Sequence, residues 1–226
     1  MSGGILKRLK SVVRLGKPRS PYREIQLRTK TLFIHIPKTG GNSVTQMIYG
    51  LPALDVRPHV PARIYRDYSP ELFAQFYVFA TVRHPFTRLR SAYYFLHGGG
   101  MTSKDRRWAR RHLQQYRTFA AFLQALRDEP VRSNVLRYTH FVPQVHYLCD
   151  TDDALLVKHL VRMEQFETGM EAVCHDLGRP FQARHENRTA LPATGDDLAA
   201  GLEDICFDLY RQDYETLGYA RLTNPS

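Results

Sequence analysis

Residues 38–43 contain the residue types of a phosphate-binding loop. They are Lys38, Thr39, Gly40, Gly41, Asn42 and Ser43. The two glycines lack a Cβ atom, so their backbone N–H groups can approach a phosphate closely. Lys38 adds a positive charge, and the threonine, asparagine and serine add short hydrogen-bond donors. Because the lysine precedes the glycines, the loop is not the common GxxxxGK[ST] motif. We nevertheless expect it to bind a phosphate or a chemically similar group.

A second set of anion-binding candidates lies at residues 83–91. Arg83 ends an apolar run, and Ser91 follows it by about two turns of a helix. A guanidinium group matches the geometry of phosphate, and a hydroxyl adds another donor. Arg83 and Ser91 are therefore predicted to bind one anion together, whereas Arg90 is predicted to lie on a solvated helix face.

Both motifs follow apolar runs that are typical of buried strands, at residues 32–36 and 77–82. Each run is followed by a turn and then by apolar residues at helical spacing. Further strand-like runs occupy residues 155–157 and 160–163, and further helical patterns occupy residues 119–126, 170–177 and 198–209. This alternation predicts an α/β domain with a mostly parallel central sheet flanked by helices. Ligands of such sheets bind at the carboxyl ends of the strands, where both motifs lie.

The net charge of +10 is unevenly distributed along the 226 residues. Residues 1–30 contain nine Lys/Arg and one acidic residue, and residues 31–149 contain sixteen and six. Residues 150–226 contain seven Lys/Arg and fifteen acidic residues. We interpret residues 1–30 as a flexible basic arm and residues 31–226 as one folded domain. The first two thirds of the chain are predicted to face anionic ligands. Specific nucleic-acid binding is not expected, because the positive charge coincides with the phosphate loop.

The beginning of the chain has no apolar stretch long enough for a membrane span, and charges interrupt it too often for a secretory signal. Its apolar residues at positions 5–13 would form one face of a basic helix on anionic lipid, or they belong to a solvated tail. Both alternatives stay open. Cys149, Cys174 and Cys206 show no CxxC spacing, so we expect reduced thiols, no structural zinc and a cytoplasmic protein.

The two anion-binding motifs together resemble those of the membrane-type carbohydrate sulfotransferases and their bacterial relatives. FIHIPKTGGNSV at 33–44 is similar to the 5′-phosphosulfate loop of that family, and TVRHPFTRLRSAYYF at 81–95 is similar to its 3′-phosphate motif. Weaker similarities lie at residues 59–62, 141–144, 147–148, 162–167, 186–188 and 209–219. The resemblance covers residues 31–220 and departs from the family pattern at Asn42, commonly Thr, and at His84, often Asp or Asn.

The resemblance implies a P-loop-like three-layer fold. It also implies transfer of the sulfuryl group of 3′-phosphoadenosine-5′-phosphosulfate (PAPS) to a hydroxyl acceptor, a glycan or glycolipid, leaving adenosine 3′,5′-bisphosphate. Residues 38–43 would then bind the 5′-phosphosulfate, and Arg83 with Ser91 the 3′-phosphate. Lys38 would stabilise charge on the leaving oxygen. The reaction needs no metal.

The resemblance also implies a general base, because His59 lies where related enzymes have a catalytic histidine. The alternative is an ordinary loop residue. His35, His140 and His146 are the next candidates, and His84 is expected to cap its turn. Four basic residues would lie on one helix in pairs that share a face: Arg106 with Arg110, and Arg107 with Arg111. Such a helix either binds an acidic glycan or is simply solvated.

Two other functions stay open from the sequence. A P-loop kinase would use ATP and magnesium, but the Gly-Lys-Ser/Thr order and an apolar strand ending in Asp are both missing. A non-catalytic nucleotide- or nucleic-acid-binding module would account for the basic arm. It would not account for a phosphate loop combined with Arg83 and Ser91.

Overall fold

The computed structural model describes residues 19–56, 58–181 and 201–222. Its sheet consists of β1 (Thr31–Ile34), β2 (Tyr77–Val82) and β3 (His159–Arg162). The strands are parallel in the order β1-β2-β3, with Ile34 opposite Ala80 and Val82 opposite Arg162. The α/β fold with a parallel sheet is therefore confirmed, including both strands that precede the predicted motifs.

Helices cover both faces of this sheet, because alternate residues of a strand point to opposite sides. Leu32 and Ile34 pack with α3 (Ala62–Tyr68) and α9 (Val145–Leu148). Phe33 packs on the other side, with α2 (Gly41–Tyr49) and α10 (Phe166–Asp176). The three layers expected of this fold are thus present.

A third apolar core lies among helices beyond the sheet. It is formed by α5 (Pro85–His97), α6 (Ser103–His112), α7 (Phe119–Ala125), α8 (Glu129–Leu136) and α11 (Leu202–Leu217). The predicted apolar positions of α5 are buried in it, with Tyr93 stacked on Phe122 at 5.3 Å between ring centroids. The remaining elements are α1 (Glu24–Thr29), α4 (Pro70–Phe73) and two 3₁₀ turns, Ala53–Val56 and Met163–Gln165.

The predicted strand at residues 155–157 is wrong. Asp150 Oδ1 accepts hydrogen bonds from the backbone N–H groups of Asp152 and Ala154, which closes a tight turn. The turn places Leu155 antiparallel to Cys149 in a single bridge. The apolar run therefore folds back on the preceding segment and does not extend the sheet.

Part of the predicted basic arm packs onto the domain. Tyr22 is buried, and its hydroxyl donates to the backbone carbonyl of Tyr65 at 3.1 Å. Helix α1 follows directly and leads into β1. Residues 1–18 lie outside the described residues, as does the start of the helical pattern at 198–209. Within the described part of the chain, no helix is long and apolar enough to cross a membrane.

Candidate active site

The loop at residues 38–43 lies between the carboxyl end of β1 and the N-terminus of α2. Gly40 has a φ of 76°, a left-handed conformation that glycine adopts without strain, and it caps α2. Gly41 lies against the ring of His35, where a Cβ atom would come within 1.8 Å of Nε2. A side chain at position 41 would therefore displace either His35 or the loop.

Thr39 ties this loop to the neighbouring strand. Its buried hydroxyl lies 2.9 Å from the hydroxyl of Thr81 and donates to the carbonyl of Ile36. Thr81 in turn donates to the carbonyl of Thr39 at 2.7 Å. The hydroxyl of Thr39 is thus already bound to protein groups, and its contact with a phosphate stays a prediction. In the same loop, Asn42 is exposed and Ser43 is half-buried.

Lys38 lies over an aromatic ring of α5. Its Nζ is 3.8 Å from the centroid of the Phe95 ring, a cation–π contact. Burial, with a further contribution from the positive charge of Arg83, lowers the pKa of Lys38 to about 8, while Asp105 opposes the shift. The ammonium group is therefore charged at neutral pH, but it is easier to deprotonate than an exposed lysine.

Arg83 follows β2 directly and lies beside the first turn of α5. Its Nε donates to the hydroxyl of Thr87 at 3.1 Å. Thr87 and Ser91 are four residues apart on α5 and so share one face of the helix. Burial lowers the pKa of Arg83, with the negative charge of Glu164 opposing the shift. Thr87 was not predicted, although its spacing from Ser91 is a usable sequence signal.

Helix α11 supports the turn that carries Arg83. Asp213 is fully buried, and its two oxygens accept from the backbone N–H groups of Gln144 and Val145, both at 2.9 Å. Burial raises the pKa of Asp213, while the nearby Arg88 and these two N–H groups act in the opposite direction. The side chain of Gln144 then contacts the backbone of Arg83.

Glu164, directly after β3, holds the turn at His84. One carboxylate oxygen accepts from the backbone N–H of His84 at 2.8 Å, and the other accepts from the hydroxyl of Tyr219 at 3.1 Å. His84 Nε2 lies 2.8 Å from the carbonyl of Ala220, and the imidazole makes no capping hydrogen bond to α5. His84 does cap its turn, as expected, since it is the N-cap residue of α5 and its carbonyl accepts from the N–H of Arg88 at 2.9 Å, while its ring contacts the C-terminal segment.

His59 lies next to the loop at residues 38–43, in a cluster of histidines. Its Nδ1 is 3.1 Å from the carbonyl oxygen of His35, and the two rings are 4.6 Å apart. A carbonyl oxygen only accepts, so Nδ1 carries the proton and Nε2 has a lone pair. Burial lowers the pKa of His59, although the hydrogen bond to His35 opposes the shift. His59 is therefore neutral at pH 7, as a general base must be.

The other candidate bases differ in their surroundings. His35 is half-buried and lies against Gly41, and burial together with the neighbouring histidines lowers its pKa to about 3. His140 lies 6.4 Å from His59 between ring centroids and belongs to the same cluster. His146 is exposed on α9 and contacts Tyr147. The structure thus brings Lys38, His59, His35 and His140 together and leaves His146 apart.

A comparison with known protein families agrees with this arrangement, since the model of the sulfotransferase family matches residues 25–220. The chain belongs to the sulfotransferase family. No curated protein and no solved structure matches it. The match includes the loop at residues 38–43, Arg83, the histidine cluster and all of α11, so the protein is a transferase with the chemistry of sulfuryl transfer.

Asp105 is a part of this sulfotransferase site that the sequence did not reveal. It lies on α6, and its Oδ1 accepts from the hydroxyl of Tyr138 at 2.6 Å. The same oxygen is 3.4 Å from Nε2 of His140. Its only sequence signal is Thr102 three residues earlier, which forms a capping box with it at the start of α6.

The predicted basic helix is α6, and its four arginines are exposed. Trp108 faces inward and stacks on Tyr138 with ring centroids 4.1 Å apart. The arginines therefore form a solvent-facing surface next to Asp105, and binding of an acidic glycan there stays a prediction. Among the described residues, no group of three or more His, Cys, Asp and Glu side chains is arranged to hold a metal ion. The three cysteines are free and buried.

Proposed function

We propose that this sulfotransferase moves the sulfuryl group of PAPS to a hydroxyl group of a carbohydrate, with His59 as the general base. The observation that carries the proposal is the hydrogen bond from His59 Nδ1 to the carbonyl of His35. It leaves Nε2 as the basic atom, in a neutral imidazole beside the loop that bears Lys38.

The donor would lie across the carboxyl ends of β1 and β2. Backbone N–H groups of the loop at 38–43 and the N-terminus of α2 offer donors and a favourable dipole to the 5′-phosphosulfate. Arg83 and Ser91 would bind the 3′-phosphate, with Thr87 orienting the guanidinium group through Nε. Because charge-assisted hydrogen bonds are about twice as strong as neutral ones, Arg83 would contribute most to recognition of that phosphate.

The acceptor hydroxyl oxygen attacks sulfur in line with the departing oxygen. The new O–S bond forms as the S–O bond to the 5′-phosphate breaks, and the hydroxyl proton passes to His59 Nε2. Adenosine 3′,5′-bisphosphate leaves with the electron pair of the broken bond, and Lys38 stabilises the charge that develops there. Positioning and charge stabilisation supply most of the acceleration in such a displacement.

The carbohydrate acceptor is supported by the resemblance of the two motifs to carbohydrate sulfotransferases. A cytoplasmic location and peripheral contact of the basic arm with anionic membranes are part of the same proposal, and no nucleic acid is expected as a partner. A P-loop kinase is disfavoured by Glu164, since both of its oxygens already bind protein groups at the end of β3.

The proposal is tested by measuring transfer of radioactive sulfate from PAPS to sugars, glycolipids and simple alcohols. We expect transfer to at least one sugar without added magnesium. Thermal denaturation provides a second measurement, in which adenosine 3′,5′-bisphosphate should raise the melting temperature more than ATP with magnesium or an oligonucleotide. Stabilisation by ATP and magnesium alone would favour the kinase, and stabilisation by oligonucleotide alone would favour the nucleic-acid-binding module.

A further inference from the structure

The histidine cluster contains a second imidazole, that of His140. The proposed reaction, with His59 as the base, assigns no role to it. His140 Nδ1 is buried and has no hydrogen-bond partner among the residues that the structure describes. A buried polar atom without a partner is unfavourable, and in native proteins such atoms usually have a specific explanation. A ligand that donates a hydrogen bond to Nδ1 would provide one.

Asp105 determines which nitrogen of His140 carries the proton. Burial alone would raise the pKa of Asp105, but hydrogen bonds from Tyr138 and Thr102 lower it to about 2. The carboxylate is therefore ionised and can only accept. Since its Oδ1 lies 3.4 Å from His140 Nε2, the proton of the neutral ring is at Nε2. The buried Nδ1 is then an acceptor.

The ring of His140 lies among the groups proposed to carry out the reaction. Its centroid is 6.4 Å from that of His59 and 5.0 Å from that of Phe95. The Nζ of Lys38 lies over the same Phe95 ring. Burial lowers the pKa of His140 to about 4, with Asp105 opposing the shift, so its ring is neutral beside the neutral His59.

We propose that His140, positioned by Asp105, binds a second hydroxyl group of the acceptor, next to the hydroxyl that is sulfated. Two rings 6.4 Å apart, each with one accepting nitrogen, suit two neighbouring hydroxyls of one molecule, given hydrogen bonds of about 2.8 Å. The acceptor class is then a vicinal diol, as in a sugar ring. This inference rests on the proposed function and specifies its acceptor. His140 is an acceptor-binding residue, and Asp105 is a positioning residue.

The first test measures the tautomers directly and needs no acceptor. Nitrogen-15 NMR of the full chain, with adenosine 3′,5′-bisphosphate added, distinguishes protonated from unprotonated ring nitrogens of each histidine. At pH 7 we expect the proton of His140 at Nε2 and that of His59 at Nδ1. In Asp105→Asn, the preference of His140 for Nε2–H should weaken. A cationic His140, or one with its proton at Nδ1 in the wild type, would overturn the proposal.

The second test measures KM for p-nitrophenyl β-glycosides of galactose, glucose and xylose, and for their monodeoxy analogues. With the fastest glycoside, loss of one hydroxyl should raise KM about tenfold, the effect of one hydrogen bond to a buried partner. His140→Gln retains a donor for Asp105 but lacks an acceptor at the position of Nδ1. The His140→Gln variant should raise KM for the parent glycoside by the same factor, with little change in kcat. With the deoxy analogue as substrate, this variant should cause no further increase in KM.

His140→Asn provides the rescue, because its side-chain oxygen lies near the position of Nδ1, so KM should return toward the wild-type value. His146→Gln, outside the cluster, is the matched control. For each monodeoxy analogue that is still sulfated, the increase in KM relative to the parent glycoside is compared between wild type and His140→Gln. If this increase is the same in both proteins for every analogue, the diol contact does not exist. Sulfation of alcohols but of no glycoside would contradict only the carbohydrate acceptor. In that case KM for trans-cyclohexane-1,2-diol and for cyclohexanol would be compared in wild type and His140→Gln. A preference for the diol that is lost in His140→Gln would support the contact, and an equal preference in both proteins would exclude it.

Discussion

The side chain of Gln144 hydrogen-bonds to both backbone polar groups of Arg83. Its Oε1 accepts from the N–H of Arg83 at 3.0 Å, and its Nε2 donates to the carbonyl of Arg83 at 2.8 Å. The backbone of Gln144 is itself held by the buried Asp213. The orientation of a proposed phosphate ligand near the start of the domain thus depends on a helix near its end.

This relationship predicts that Gln144→Met weakens binding of adenosine 3′,5′-bisphosphate although Gln144 does not contact the nucleotide. Methionine has a similar shape but makes neither hydrogen bond. With about 1 kcal/mol per neutral hydrogen bond, loss of both bonds corresponds to about 30-fold weaker binding at most, measured by calorimetry. Adenosine 5′-phosphate, which lacks the 3′ group, should bind nearly as before. The exposed Gln212 gives a control, Gln212→Met. Equal weakening for both nucleotides would mean that Gln144 supports the fold alone.

Arg83→Ala should affect the 3′-phosphate more directly. A hydrogen bond to a charged group contributes about 1.5–3 kcal/mol, so the affinity for adenosine 3′,5′-bisphosphate should fall about 10- to 100-fold. Adenosine 5′-phosphate should be almost unaffected, and Arg107→Ala on the exposed face of α6 should change neither affinity. A comparable loss with both nucleotides would contradict the assignment of Arg83 to the 3′-phosphate.

The parts of the site that could be predicted from sequence are local ones. Residues 38–43 and Arg83 each follow an apolar strand and precede a helix, so neighbouring residues alone indicate their position at the carboxyl edge of the sheet. The contact of Gln144 with Arg83 joins residues 61 positions apart, and that of Tyr138 with Asp105 joins residues 33 apart. One sequence contains no signal that pairs such distant residues.

The strand wrongly expected at residues 155–157 and the hydroxyl of Thr39 show why residue type alone is not enough. The apolar run at 155–157 has a strand-like composition, but the turn closed by Asp150 determines where it packs. Thr39 has the residue type of a phosphate ligand, but its hydroxyl is used by Thr81 and Ile36. Residue type predicts what a side chain can bind, whereas tertiary contacts decide whether it is available.

The location of Tyr22 determines how the basic arm should be tested. Truncation to residue 30 would remove a buried tyrosine from the core, so the deletion should end at residue 18. Residues 1–18 contain five Lys/Arg and no acidic residue. If this segment binds anionic membranes, its deletion should abolish binding to phosphatidylserine vesicles and leave turnover of a water-soluble acceptor unchanged. Binding by the full chain should also weaken with salt. Vesicle binding that survives the deletion would disprove this role.

The rate should depend on pH in a bell shape. His59 must be neutral to accept a proton, and burial lowers its pKa, so kcat/KM should fall as the pH decreases through this lowered pKa. Lys38 must be charged, so kcat/KM should also fall as the pH rises through about 8. Lys38→Arg should move the alkaline limb upward, because arginine stays protonated. An alkaline limb that is unchanged in Lys38→Arg would assign it to another group.

His59→Ala separates the chemical step from binding. Loss of a general base lowers kcat by about 10²- to 10⁴-fold, while the affinity for adenosine 3′,5′-bisphosphate should stay the same because His59 is not proposed to touch the nucleotide. Lys38→Ala should reduce both, since a charge near the leaving oxygen acts in the ground state and more strongly in the transition state.

His146→Ala is the control, because His146 is an exposed histidine outside the cluster. Stopped-time sulfate transfer gives kcat, and calorimetry gives the nucleotide affinity. The acid limb of the pH profile should disappear in His59→Ala. This result would show that the limb arises from His59 and not from titration of the donor's own phosphate. If His59→Ala keeps kcat within a few-fold of the wild type, His59 is not the base. His140 would then be the next residue to test, because it lies in the same cluster and its Nδ1 is an accepting nitrogen without a hydrogen-bond partner among the described residues.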